Sequence, residues 1–295
     1  MSHLLRIEIL PKPAVLQLLT AAEKMRELCK TAGGDDRLKR KVLCCVFYEP
    51  STRTNCSFQA AMLRLGGKVI VVNEQHSSVK KGESLSDTIM TISGYCDVIV
   101  LRHPEKGICE TASLSSTVPV INAGDGVGEH PTQALLDLFT IQSEVLKPIT
   151  VVFVGDLKNG RTVHSLALLL AMFPDGVNLH YVHPLGLGMP EHLMESLRRK
   201  GVRQVIAVAD VVYVTRCQRE RFESVEEYEK VSGLYHVNAE TLKAAKADMI
   251  VMHPLPRLNE LSEDVDDDPR AAYFRQARNG MFMRMAILEH YLDYH

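Results

Sequence analysis

The sequence predicts an α/β protein of two three-layer domains, each with a central, largely parallel sheet, joined by two interdomain helices. Three observations carry that expectation. Short β-branched runs alternate with longer helical patterns along the whole chain, the runs are continuously apolar, and most of them end in a compact polar stretch. Continuous apolar strands separated by helices are the pattern of a parallel sheet covered on both faces. The strand candidates are 41–47, 68–73, 96–101, 118–122, 149–154, 178–182, 211–215 and 249–252. Cys44 and Cys45 are neighbours in the first of these, so their side chains point to opposite faces.

Eight strands could close one barrel, but two open sheets of about four strands each suit the polar stretches better. In open α/β sheets ligands bind beyond the carboxyl ends of the strands, and stretches from both halves then face one cleft. Two helices read as the joints. One starts at Pro131, a residue suited to a helix's first turn, and carries Ala134, Leu135, Leu138 and Phe139 at helical spacing. The other covers 271–294, with Met281, Met285, Leu288 and Leu292 on one stripe. If it packs back on the first half, the domains are 1–140 plus 273–295, and 141–272. The acidic stretch 260–268 reads as a solvated loop and 225–232 as an exposed helix face.

Composition excludes several classes. Hydrophobic residues at 46% and charged residues at 24% describe an ordinary globular chain of 295 residues. Lys plus Arg number 34 against 36 for Asp plus Glu, a net charge of −2, which disfavours nucleic acid or an anionic membrane as a partner held by bulk charge. Trp is absent and there is no basic stripe. No apolar run approaches the roughly 20 residues of a membrane span, and the N-terminus lacks the zones of a signal peptide. Seven cysteines show neither C-x-x-C nor zinc spacing, so no metal site is expected and buried free thiols in a reducing cytoplasm are.

The polar stretches carry the chemistry. Ser51-Thr52-Arg53-Thr54 precedes a helix bearing Phe58, Met62 and Leu65, which ends at Gly66-Gly67. Backbone N–H groups, three hydroxyls and a guanidinium converging on a helix start make a phosphate site; a plain Ser/Thr cap beside a surface arginine is the local alternative. Charge-assisted hydrogen bonds of roughly 1.5–3 kcal/mol each make Arg53 the dominant contributor. Arg102 follows the third strand and His130 precedes Pro131. At a helix start the positive dipole end disfavours imidazolium, so His130 is expected to be a neutral donor to a developing oxyanion, or else a capping histidine. The run ending at Gly155 invites a dinucleotide reading and fails it, because Asp156, Leu157, Lys158 and Asn159 break G-x-G-x-x-G. Arg161 and Arg216 suit carboxylates, though each singly could be an ordinary ion-pair partner. Leu255 lies between Pro254 and Pro256; an extended Leu255 and two residues without N–H groups would display backbone carbonyls to an amine or amide, and one of the two bonds to proline is a candidate for the cis form.

Taken together, these residues resemble the transcarbamoylases over nearly the full length. Ser51-Thr52-Arg53-Thr54 is similar to the family's carbamoyl-phosphate signature and His130-Pro131-Thr132-Gln133 to its H-P-x-Q motif. Lys80-Lys81-Gly82-Glu83, Gly160-Arg161-Thr162-Val163-His164-Ser165, Thr215-Arg216-Cys217-Gln218 and His253-Pro254-Leu255-Pro256 resemble the aspartate branch. The H-C-L-P and S-M-G sequences of the ornithine branch are absent. Tyr48-Glu49-Pro50 and Met281-Phe282-Met283-Arg284 look most like the transcarbamoylase domain of the animal multifunctional pyrimidine-synthesis protein.

The resemblance implies a cytoplasmic aspartate carbamoyltransferase that works without cofactor or metal in pyrimidine biosynthesis. Ser51, Thr52, Arg53 and Thr54 would hold the phosphate of carbamoyl phosphate, with Arg102 reaching phosphate and carbonyl. His130 and Thr54 would polarise the carbamoyl oxygen. Gln133 and the backbone of Leu255 and Pro256 would orient the amide. Arg161, Arg216 and Gln218 would bind L-aspartate, together with Lys81 from a loop, 77–83, that crosses to a neighbouring subunit; Ser77 or Ser78 is that loop's candidate serine contact. A homotrimer with shared sites follows, and the chain could belong to a larger multifunctional polypeptide. Ornithine transcarbamoylase and a non-catalytic metabolite-binding protein are the rival readings.

Overall fold

The structure is a computed structural model that describes residues 2–73, 82–146, 149–173, 176–194 and 208–293. Two compact units emerge, Met1–Phe139 with Arg278–His295, and Thr140–Ala277. The chain returns to the first unit at Arg278, a few residues later than the 273 expected from the sequence.

In the first unit α1 (Lys12–Thr31) leads to β1 (Val42–Phe47), α2 (Thr52–Arg64), β2 (Lys68–Asn73), α3 (Leu85–Ser93), β3 (Val98–His103), α4 (Ile108–Ser115) and β4 (Val120–Asp125). The four strands lie parallel in the order β2-β1-β3-β4. In the second, β5 (Ile149–Gly155), α6 (Arg161–Ala171), β6 (Val177–Val182), α7 (Glu191–Met194), β7 (Val211–Thr215), α8 (Val225–Val231), α9 (Ala239–Leu242) and β8 (Ile250–Met252) build a parallel sheet β6-β5-β7-β8. Helices α5 (Pro131–Glu144) and α10 (Tyr273–Asp293) each begin in one unit and end in the other. The two-sheet reading stands and the barrel does not.

Parallel pairing explains the apolar runs, since both faces of the inner strands are covered: every residue of β1 after Val42 is buried, as is all of β4. Cys44 and Cys45 are both buried for that reason. Cys44 packs with Val46, Ile89, Ile99 and Leu101. All seven cysteines are free thiols; Cys44, Cys45 and Cys109 are buried, while Cys56 is exposed. Helix α5 departs from a simple stripe. Every residue from 131 to 141 is buried, Thr132, Asp137 and Thr140 included.

Strands β3 and β4 run two and three residues past their expected ends, so Arg102 and Asp125 belong to the strands themselves. Arg102 pairs in register with Phe47, and His103 with Asp125. Because the strands are parallel, these polar residues all emerge at one edge of the sheet.

The expectation for the acidic stretch is overturned. The stretch 260–268 is not a solvated loop: Glu260, Leu261 and Val265 are buried, and Leu261 bridges to Val237. Leu261 and Val265 supply apolar anchors four residues apart, and Glu260 finds a buried partner described below. Helix α8 is exposed as expected, with no buried residue.

Candidate active site

In the first unit β1 delivers Tyr48-Glu49-Pro50 into the start of α2. Ser51 sits at the N-cap with extended backbone (φ −159°, ψ 93°), yet its hydroxyl accepts no capping hydrogen bond. Ser84 and Ser224, in the same position on α3 and α8, do cap, accepting from the N–H of Asp87 at 3.1 Å and of Glu227 at 3.2 Å. Ser51 thus occupies the cap position without making the capping bond. The helix's first such backbone bond runs from Asn55 N–H to the Ser51 carbonyl at 3.1 Å. The first turn of a helix is where backbone N–H groups and the positive end of the helix dipole favour an anion. Thr54 is buried, and Arg53 is exposed to solvent.

Arg102 is buried at the end of β3. Its Nη1 donates to the Ala123 carbonyl at 3.2 Å and its Nη2 to the carboxylate of Glu49. Strand β4 and the turn after β1 thus fix the plane of the guanidinium. A second arginine adds to the local positive field. Arg284 of α10 is buried against the Phe58 ring at 5.1 Å. Burial pushes it down to about 10, with Asp137 opposing that shift and Arg102 adding to it, so it stays a cation at neutral pH.

His130 is buried, its backbone carbonyl accepting from Gln133 at 3.0 Å and Ala134 at 3.1 Å, and its Nδ1 lies 3.4 Å from the Thr132 hydroxyl. The turn leading to it hangs on Asp125, whose carboxylate accepts from the N–H of Gly107 (2.8 Å) and Glu129 (2.7 Å). Gln133 commits its amide nitrogen to Asp137 Oδ1 at 2.8 Å. What Gln133 offers a ligand is then its carbonyl oxygen, an acceptor for an amide NH₂.

In the second unit β5 ends at Gly155 (φ +123°), where a Cβ would lie 2.0 Å from the Thr215 carbonyl; only glycine lets β5 and β7 approach so closely. Arg161 opens α6 and is buried, whereas Arg216, just past β7, is half-buried. Gln218 donates to the Asn159 carbonyl at 3.0 Å, and Asn159 is tied to fully buried Asp156 by its N–H (3.0 Å) and side-chain amide (3.0 Å to Oδ2). This network ties the segment after β7 to the loop before Arg161.

Leu255 corrects one half of the sequence reading and bears out the other. It is not extended but left-handed, at φ +55°, and the Leu255–Pro256 bond is cis. The cause is local: the Leu255 N–H turns back to His253 Nδ1 at 2.8 Å. The segment still presents carbonyls, since neither proline has an N–H to offer.

Ser51, Thr52, Arg53, Thr54, Arg102, His130 and Gln133 thus belong to the first unit, and Arg161, Arg216, Gln218, Leu255 and Pro256 to the second. Lys81, Ser77 and Ser78 lie outside the described residues. Sequence reasoning missed Glu49, Asp137, Asn159 and Glu260, which hold the named residues in place. Asp137 carries a signal, standing four residues after Gln133 on one helix. Among the described residues no group of three His, Cys, Asp or Glu could hold a metal ion, and no helix is long and apolar enough to cross a membrane.

Comparison with known families fits this division. Residues 2–143 match the carbamoyl-P binding domain of aspartate/ornithine carbamoyltransferase, and residues 147–291 its Asp/Orn binding domain. The chain belongs to the aspartate/ornithine carbamoyltransferase family. It is 51% identical over 97% of its length to the multifunctional protein pyr1-3 of Dictyostelium discoideum, of which it spans 13%. Its fold superposes on the catalytic subunit of M. jannaschii aspartate transcarbamoylase with a TM-score of 0.91 and 46% identity, covering 100% of this chain and 99% of that one. Aspartate transcarbamoylase from Trypanosoma cruzi, solved in complex with carbamoyl phosphate and aspartate, gives a TM-score of 0.89 at 41% identity, covering 97% of this chain and 95% of that one.

Proposed function

We propose that this chain is an aspartate carbamoyltransferase, transferring the carbamoyl group of carbamoyl phosphate to the α-amine of L-aspartate to give N-carbamoyl-L-aspartate and phosphate in de novo pyrimidine synthesis. The observation that carries the reading is the helix start of α2, whose N-cap serine leaves its own helix uncapped and lies next to Arg53. A phosphate explains that arrangement; a structural cap does not.

Residues 1–140 with 273–295 form the carbamoyl-phosphate-binding domain and 141–272 the aspartate-binding domain. Ser51, Thr52, Arg53 and Thr54 hold the phosphate, and Arg102 reaches both phosphate and carbonyl. His130 and Thr54 donate to the carbamoyl oxygen as it gains charge. Gln133, through its carbonyl, and the Leu255–Pro256 backbone orient the amide NH₂. Arg161, Arg216 and Gln218, with Lys81 lent by a neighbouring subunit, take the carboxylates of aspartate. The neutral amine attacks the carbamoyl carbon, a tetrahedral oxyanion forms, the C–O bond to phosphate breaks, and the departing phosphate accepts the amine proton. Juxtaposition of the two substrates supplies roughly 7–11 kcal/mol, and the fixed donors stabilise the oxyanion.

A homotrimer with shared sites fits this reading, and apolar Leu63, Ile70 and Val71 exposed on α2 and the edge strand β2 support such an assembly. Membership of a larger multifunctional polypeptide and a cytoplasmic location fit the relatives and the free thiols. The test is carbamoyl-aspartate formation by purified protein over a range of concentrations, with ornithine as the competing acceptor. Turnover with aspartate and loss of specific activity on dilution are expected; turnover with ornithine alone, or binding of carbamoyl phosphate without turnover, would overturn the assignment.

A further inference from the structure

The segment after β8 holds a buried pair that the reaction scheme above does not use. His253 and Glu260 are both buried, with His253 Nε2 2.8 Å from Glu260 Oε1. The other ring nitrogen, Nδ1, accepts the Leu255 N–H at 2.8 Å. A backbone N–H can only donate, so Nδ1 carries no proton and the ring proton sits on Nε2, donated to the carboxylate. Glu260 is steadied in turn by the Leu258 N–H at 3.0 Å, and the His253 N–H by Gln276 Oε1 at 2.9 Å. Between Pro254 and Pro256, Leu255 owns the only N–H, and that N–H is consumed internally. Leu255 is also left-handed, a conformation disfavoured for a residue with a β-carbon, so something must hold it there.

We propose that His253, locked as its Nε2–H tautomer by Glu260, is a positioning residue that aims the Leu255 carbonyl at the carbamoyl NH₂ and so sets the preference for carbamoyl phosphate over acyl phosphates that lack an NH₂. The proposal rests on the functional reading above. Its logic is that of a site built around one hydrogen bond: an analogue without the donor leaves a fixed acceptor unsatisfied and is rejected. Acetyl phosphate is that analogue, with CH₃ in place of NH₂.

Two conservative variants separate the ring's two roles. In His253→Asn the side-chain oxygen stands where Nδ1 stood and still accepts from Leu255. In His253→Gln the amide nitrogen stands where Nε2 stood and still donates to Glu260, but the Leu255 N–H loses its acceptor. We expect His253→Gln to raise KM for carbamoyl phosphate about tenfold while Ki for acetyl phosphate moves less than about twofold, the effect of one lost hydrogen bond. His253→Asn should keep the wild-type preference. A purely structural role would weaken both ligands alike, so an equal loss for both, or identical behaviour of the two variants, overturns the proposal. If His253→Gln does not melt cooperatively, nitrogen NMR of the wild-type imidazoles decides: a His253 Nδ1 that resonates as protonated overturns it, and an unprotonated Nδ1 supports it. The wild-type protein tests the parent reading separately. Should it form no carbamoyl aspartate, the functional assignment falls and this proposal with it; should it turn over normally while the variants fail the pattern above, only the role of His253 falls.

Discussion

On the proposed reading the two units recognise anions in different ways. In the first, backbone and short hydroxyls at the start of α2 work with two arginines, exposed Arg53 and buried Arg102, the latter held by Glu49 and the Ala123 carbonyl. In the second they are long side chains: Arg161, buried at the start of α6, Arg216, half-buried past β7, and Gln218, which leans on Asn159. The supporting sheets are alike in burial: β1, β3 and β4 in one, and β5, β7 and β8 in the other, are buried nearly end to end, while the edge strands β2 and β6 are partly exposed. Preorganised donors stabilise charge that develops in a transition state at no cost in reorganisation. On the proposed reading the first unit, which holds the oxyanion donors, carries the chemistry, and the second captures the second substrate.

On that reading different kinetic parameters respond to different units. The largest effect is expected in the first. His130→Ala removes an oxyanion donor and should lower kcat about 10²–10³-fold with a smaller change in KM. Steady-state kinetics check it, and an unchanged kcat would remove His130 from the mechanism. In the second unit Arg161→Ala removes charge-assisted bonds to a carboxylate, and KM for aspartate should rise about 10–150-fold. Carbamoyl phosphate binding measured without aspartate should be unaffected; if it weakens equally, the division of labour between the units is wrong.

A smaller effect separates ligand-binding from helix-capping serines. Replacing a capping serine with alanine costs about 0.5–2 kcal/mol of stability. Ser84→Ala should therefore lower Tm, because its hydroxyl accepts from Asp87. Ser51→Ala should leave Tm unchanged while weakening phosphate inhibition about fivefold, a loss of about 1 kcal/mol for one hydrogen bond. Equal thermal shifts for the two variants would return Ser51 to the role of a cap.

Much of the fold was legible because both sheets are parallel: an apolar run covered on both faces needs no partner information to be seen, and each strand was found within three residues of its expected bounds. The polar ends were legible for the same reason, since they interrupt apolar runs. What escaped were groups defined by contacts between distant positions. Glu260 reads as one more acid in an acidic stretch until His253 is beside it, and Glu49 as a turn residue until Arg102 reaches it. Leu255 misled more directly. The rule that a residue before proline is extended is local, and a hydrogen bond to His253 overrode it.

The weakest expected effect probes how β8, the shortest strand, is held beside that segment. Val251 donates to the Arg270 carbonyl at 2.8 Å, and Arg270 is itself tied to Asp268 at 2.7 Å and to the Leu242 carbonyl at 2.9 Å. The bond from Arg270 holds the Asp268 carboxyl below its ordinary value of 3.8, with burial opposing it. A carboxylate whose folded pKa is lowered stabilises the fold above its unfolded pKa, and that contribution is lost as pH falls through the folded value. Asp268→Asn should therefore be less stable than wild type at pH 7 by no more than about 0.2–1 kcal/mol, as expected for a surface ion pair. The gap should close as the pH drops below about 4, where the wild-type carboxyl also becomes neutral. Denaturation midpoints of both proteins across that range measure it, and 0.5 M salt should shrink the gap at pH 7 by screening. A gap that persists at low pH would mean that Asp268 acts through packing or neutral hydrogen bonds, and that the strap along β8 does not depend on charge.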